Sequence, residues 1–201
     1  SVYYSNNGGA NFVARTGIVA WGGAVHPSVS GAGIVVNGSD AFTTMDSFAS
    51  TAPLGLSAFA AAEGGFTAVA INADSPNEVI VGGAKGGIYK TTNYNPLGAG
   101  VTWTKLSTPI KSILIRDVGI AFRNDRSVYY AITFGGQTSF TSESTIGFYR
   151  SLDAGTTWTG FSNGIYPCTI GWKLLPDVSS PNTSFFAGLW AGGLFKLADY
   201  D

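Results

Sequence analysis

At 201 residues the chain can bury a substantial core, and 45% apolar residues exclude a disordered segment. Only 11% of residues are charged, the net charge is −1, and the 11 Lys and Arg do not cluster, which excludes the basic stripe of a nucleic-acid-binding surface. The single cysteine, Cys168, excludes an internal disulfide and a thiolate metal cluster, and no apolar run approaches the ~18 residues of a membrane span.

The chain opens with "SVYYSNNGGANF", in which an aromatic pair leads into Ser5-x-Asn7-x-Gly9-x-x-Phe12. The same phrase returns as Phe42-Thr-Thr44-Met-Asp46, which lacks the Gly and the aromatic, and as Tyr89-Lys-Thr91-Thr-Asn93, stretched by "YNPLGAG" before Trp103. It is complete again in "SLDAGTTW", with Ser151, Asp153, Gly155 and Trp158. A last copy, Phe195-Lys-Leu197-Ala-Asp199, has Leu in place of the hydroxyl and runs off the chain. Copies separated by roughly 40–60 residues read as internal repeats the size of a propeller blade.

The flanks repeat as well. "GGIYK", "GFYR" and "GGLFK" precede three of the copies. Ahead of them lie "NEVIVGG", "SVYYAITFGG" and "TSFFAGLW", rich in the β-branched and aromatic residues that strands favour. Earlier still come "FTAVAIN", "DVGIAF" and "IGWKLL", each followed by a turn signal such as "DSPN", "RNDR" or "SSPN". Each unit therefore reads as four strands, and the octet marks the turn from the third to the fourth. A hydroxyl and a short carboxylate or amide two residues apart can cap the donors of a tight turn, and the Gly permits positive φ. The expected fold is all-β, a propeller of four-stranded antiparallel blades. The expected organisation is one propeller region over 1–201, with repeats near 1–16 (partial), 17–62, 63–108, 109–162 and 163–201 (partial). The partial units point to a segment of a larger propeller, or to blades completed by a neighbouring chain or a homo-oligomer.

The octets resemble the Asp-box repeat, Ser/Thr-x-Asp-x-Gly-x-x-Trp, found in sialidases, xyloglucanase-type glycoside hydrolases, sortilin-type receptors and a photosystem assembly factor. The resemblance implies a β-propeller whose Asp-boxes lie away from the active centre. Ser5, Asn7, Gly9, Phe12, Thr44, Asp46, Thr91, Asn93, Trp103, Ser151, Asp153, Gly155, Trp158 and Asp199 are then structural. Sialidases carry an Arg-Ile-Pro motif, which none of Arg15, Arg116, Arg123, Arg126 and Arg150 supplies. The cadence of "GGIYKTTNYNPLGAGVTWTKL" resembles a xyloglucanase blade, yet neither catalytic Asp of those enzymes can be matched here.

Glycoside hydrolysis with inversion needs two carboxylates facing each other across a cleft. Outside the repeat turns, the candidates are Asp40, Glu63, Asp117, Glu143 and Asp177. Asp117 and Asp177 are the catalytic candidates. Asp117 enters an apolar strand, where a carboxylate needs a partner, and Arg116 is expected on the opposite face. Trp21, Trp172 and Trp190 lie outside the octets and suit sugar stacking. His26, the only histidine, sits at a strand-to-turn junction, so a Ser-His-Asp triad is not expected, and no metal or cofactor motif is present. The expected function is a non-catalytic module for glycan or protein binding, extracellular or on a virion surface. The alternative is a fragment of a secreted, xyloglucanase-like glycoside hydrolase. The insertions "FASTAPLGLSAFAAAEGG" and "GGQTSFTSEST" are where a binding loop or partner contact would sit.

Overall fold

The structure is a computed structural model that describes residues 2–5, 7–15, 17–110, 114–123, 126–134, 147–160, 171–176, 184–189 and 193–198. β1 (Val2–Tyr4) and β2 (Val13–Arg15) pair as a two-stranded sheet. Next come β3 (Gly22–Val25), β4 (Gly33–Val36), β5 (Ala41–Thr44) and β6 (Ala52–Pro53), which form an antiparallel meander. β7 (Phe66–Ile71), β8 (Val79–Gly83), β9 (Ile88–Thr91) and β10 (Thr104–Lys105) form a second. β11 (Leu114–Arg123), β12 (Arg126–Phe134), β13 (Phe148–Ser151) and β14 (Thr159–Gly160) form a third. A last sheet holds β15 (Gly171–Pro176), β16 (Ser184–Leu189) and β17 (Gly193–Ala198).

The first strands β3, β7, β11 and β15 lie side by side in that order. The sheets therefore radiate as blades from an axis lined by their first strands, the arrangement of a β-propeller. A short helix, α1 (Ser57–Glu63), joins the first two full blades inside the stretch expected as a loop insertion. Its Ala-rich run favours helix, and Gly64 ends it in left-handed backbone at φ 71°, with its N–H on Ala60 O at 2.8 Å.

A blade is covered on both faces by its neighbours, so its middle strands are apolar throughout rather than alternating. β4 (GIVV) and β8 (VIVGG) are buried at every position. The core is a series of seams. Ile34, Phe66 and Tyr89 fill the first, Ile80, Ile115 and Tyr129 the second, and Ile132, Phe148 and Leu174 the third. Gly82 lets the second seam close: a Cβ there would lie 2.4 Å from Ile115 Cγ2.

The repeated octets are turns with one hydrogen-bond plan. In the complete copies, Ser5 Oγ and Ser151 Oγ donate to Asn7 Oδ1 (2.9 Å) and Asp153 Oδ1 (2.8 Å). The same hydroxyls accept the Gly9 and Gly155 N–H groups at 2.9 and 2.8 Å. Asn7 and Asp153 then accept the N–H of Asn11 (2.9 Å) and Thr157 (2.8 Å). Thr44 and Asp46 repeat the plan with Phe48 N–H and Ser50 N–H, both at 2.9 Å. This copy lacks the Gly, so Phe48 itself adopts φ 65°. In the stretched copy, Thr91 Oγ1 donates to Asn93 Oδ1 (2.7 Å), which accepts Thr102 N–H at 3.0 Å.

The aromatics differ. Trp158 is buried, and Trp103 is half-buried with Nε1 on Leu54 O at 2.7 Å. Phe12 is 63% exposed, because the two-stranded β1–β2 sheet has no seam to cover it among the described residues. Asp199 lies outside the described residues.

Connectivity fixes which end of the molecule is which. In a four-strand meander, the start of the first strand and the turn from the third to the fourth lie at opposite ends. The capped turns therefore occupy one end of the blades, and the entrances of β3, β7, β11 and β15 the other.

Candidate functional site

The entrances of the first strands share an irregularity. The pairing of β7 with β8 shifts between Phe66 and Ala68, that of β11 with β12 between Ile115 and Asp117, and that of β15 with β16 between Gly171 and Lys173. Thr67, Arg116 and Trp172 are the extra residues at these bulges. A bulge breaks strict side-chain alternation and re-aims the residues around it. Arg116 and Asp117 consequently line the same cleft, which corrects the expectation that they sit on opposite faces of their strand.

The cleft has a volume of about 200 Å³ and is lined by Trp21, Gly22, Gly23, Thr67, Val69, Arg116, Asp117, Trp172 and Lys173. It thus draws on all four full or partial blades with a described first strand from β3 onward. Gly22 lets β3 approach β7, since a Cβ there would lie 2.6 Å from Thr67 O. Thr67 is committed to the fold: its hydroxyl donates to Gly82 O at 3.2 Å and to Ile115 O.

Asp117 is 5% exposed. Its partners come from the next blade: Leu174 N–H donates to Oδ2 at 2.6 Å, and Lys173 Nζ sits 3.2 Å from Oδ1 and 3.1 Å from Oδ2. Burial pushes the carboxyl above its ordinary range, outweighing the Lys173 charge and the Leu174 and Val118 amide bonds. Arg116 lays its guanidinium on Trp172, 3.7 Å above the ring centre. Its Nε is buried without an acceptor. Trp21 and Trp172 keep 53% and 41% of their surface exposed. Sequence reasoning proposed Trp21, Trp172 and Asp117 separately, and the structure places the three in one cleft. Asp177 and Trp190 lie outside the described residues, as do Glu143 and Cys168.

Lys173 and Arg116 were not proposed from sequence as cleft residues, and neither was the seam residue Glu78. Glu78 accepts Asn72 Nδ2 at 2.6 Å, Ser127 Oγ and Tyr129 OH, with Lys90 Nζ at 3.4 Å. Glu63 accepts Tyr89 OH (2.8 Å), Gly87 N–H (3.0 Å) and Lys105 Nζ (2.5 Å). Burial opposes ionisation of both glutamates, yet these donors hold their carboxyls below the ordinary range. Asp40 caps two backbone amides, Ala41 and Leu56, each at 2.7 Å. His26 Nδ1 accepts Ser28 and Val29 N–H at 3.2 and 3.1 Å, and burial lowers its basicity, so it is a turn residue.

A larger cavity of about 320 Å³ opens at the opposite end, between the Asn93 and Asp153 turns, lined largely by threonines with Lys90 and Leu106. It has no aromatic platform and no carboxylate. Among the described residues no cluster of His, Cys, Asp or Glu could hold a metal ion, and no helix is long and apolar enough to cross a membrane.

No protein-family model and no curated protein matches the sequence. Solved structures do match the fold. The Niastella koreensis GH74 enzyme superposes with a TM-score of 0.64 at 17% identity, over 90% of this chain and 28% of that one. An ancestral GH74 enzyme gives 0.58 at 15% identity, over 97% of this chain and 28% of that one. The chain is a β-propeller fold similar to part of these enzymes and spans 28% of their length.

Proposed function

We propose that the chain is the glycan-binding face of a glycoside-hydrolase-type propeller, with the axial cleft as the binding site. The observation that carries this reading is the convergence of Trp21 and Trp172 on one cleft with Asp117, Arg116 and Lys173. Exposed indole surface offers an apolar platform for a sugar ring, and the charged groups offer hydrogen bonds to its hydroxyls. The fold likeness to GH74 enzymes supports a polysaccharide ligand, and with it a place outside the cell.

Asp117, a buried carboxyl that burial pushes above its ordinary range, is the candidate for a general acid. It is the only carboxylate lining the cleft among the described residues. Binding is therefore the function proposed for this chain itself, and hydrolysis requires a second carboxylate supplied from outside the described residues. Exposed apolar residues at the two ends, Tyr3 and Phe12 at one and Leu175 and Leu194 at the other, support further blades or a neighbouring chain covering them.

Titrating the protein with xyloglucan and mixed-linkage glucan oligosaccharides while following tryptophan fluorescence tests the reading. Saturable binding, weakened at least tenfold by Trp172→Ala, is expected from the loss of one stacking platform. Binding that survives Trp21→Ala and Trp172→Ala together would place the ligand elsewhere. Reducing-sugar release abolished by Asp117→Asn would identify the hydrolase. Unchanged binding with no release from either protein would identify the non-catalytic module.

A further inference from the structure

We propose that the axial cleft selects an acidic glycan, with Arg116 taking the carboxylate of a uronic-acid residue. The proposal rests on the glycan-binding reading above and adds the class of sugar.

The argument begins with charge. Of the three charged groups lining the cleft, Lys173 is already matched by Asp117 at 3.1–3.2 Å. Arg116 is left over: among the described residues it forms no ion pair and no hydrogen bond, and its Nε is buried with no acceptor. Unsatisfied buried donors are uncommon in folded proteins and call for an explanation. The chain has 11 cationic side chains in 201 residues and a net charge of −1, so a surplus cation at the axis is a local feature rather than part of a general basic surface.

Geometry adds specificity. The 3.7 Å stack on Trp172 fixes the plane of the guanidinium, and the bulge at Arg116 turns that residue toward the axis. A held guanidinium presents N–H donors in a fixed fork, which matches a planar carboxylate and loses little freedom on binding it. A neutral sugar would meet the same donors with hydroxyl oxygens only, whereas a carboxylate adds ion-pair attraction and can accept two parallel N–H bonds from the fork. The adjacent indoles provide the apolar platform for the sugar ring that carries the carboxylate.

The test compares one glucuronic-acid-bearing xylan oligosaccharide with the same oligosaccharide after its carboxyl is reduced to the alcohol. Both are titrated into the 201-residue chain by calorimetry at low and at physiological salt. The acidic form should bind about tenfold more tightly or better, the margin expected of a charge-assisted contact. That margin should shrink with salt, vanish in Arg116→Gln and persist in part in Arg116→Lys. If Arg116→Gln fails to fold, as circular dichroism would show, the salt series and Arg116→Lys carry the same decision. Equal affinity for the two forms overturns the acidic-sugar inference and leaves the glycan reading intact. If neither form binds here and the neutral glucans above also fail to bind, both are overturned.

Discussion

Three buried carboxylates cross from one blade, or the helix before it, to the next element, and they do not behave alike. Glu63 and Glu78 sit in the seams, each with at least three donors including a lysine, and their carboxyls are held ionised. Asp117 sits at the axis with Lys173 and the N–H groups of Leu174 and Val118, and burial wins. Burial opposes charge in all three, and the sign follows from whether the donors together outweigh it. A seam carboxylate is fully used by the fold. The axial one is shifted upward by burial, the direction in which sites tune a carboxyl for acid–base chemistry.

The comparison can be broken most severely at the seam. Glu78→Ala would strand Lys90 and leave Asn72, Ser127 and Tyr129 without their shared acceptor. Urea denaturation should show a loss of about 3–5 kcal/mol, the usual cost of removing one member of a buried pair. A loss below about 1 kcal/mol would mean that Glu78 does not organise the seam. Gly22→Ala tests how tightly the axis closes. Its Cβ would meet the Thr67 carbonyl oxygen, so a cost of about 1–3 kcal/mol and weaker glycan binding are expected together. Full stability with unchanged binding would show that the cleft has slack.

Acid sharpens the contrast through opposite signs. Glu63 and Glu78 have lowered values in the fold, so their contribution is present above about pH 4.3, the ordinary Glu value, and is lost as pH falls below it. Asp117 has a raised value, so ionising it costs stability as pH rises from about 3.9, the ordinary Asp value, toward its folded one. Asp117→Asn should therefore flatten the stability–pH curve above about pH 4, while Glu78→Gln flattens it below. Curves displaced in parallel would contradict both assignments. The smallest effect expected is at the Thr44 turn, where Phe48 occupies left-handed backbone. Phe48→Gly removes that strain and should offset the lost ring contact to within about 1 kcal/mol, read as a change in thermal midpoint. In the Ser151 turn, Gly155 already fills that role.

The fold was largely legible because its signals are local. Strand composition and turn chemistry act within a few residues, and the pattern of Ser151, Asp153, Gly155 and Trp158 states a turn wherever it occurs. Even the copy without Gly keeps its hydrogen-bond plan, because Thr44 and Asp46 supply the caps. The site was legible only in pieces. Trp21, Trp172 and Asp117 each stood out, but nothing local joined them. Arg116 was assigned to the wrong face because alternation was assumed, and the bulge between Ile115 and Asp117 breaks it. Glu78 was passed over in favour of other carboxylates, since its partners Ser127 and Tyr129 lie about fifty residues further on. Helix α1 was read as a loop insertion, with Gly and Pro on its flanks masking a short Ala-rich run.

The amino-acid sequence by itself determined the repeat, the strands and the capped turns, since these depend on neighbours along the chain. Tertiary structure alone decided which side chains meet at the axis and which carboxylates stay charged. Those outcomes depend on how closely one blade approaches the next and on the donors it brings, and both are set by packing between segments far apart in sequence.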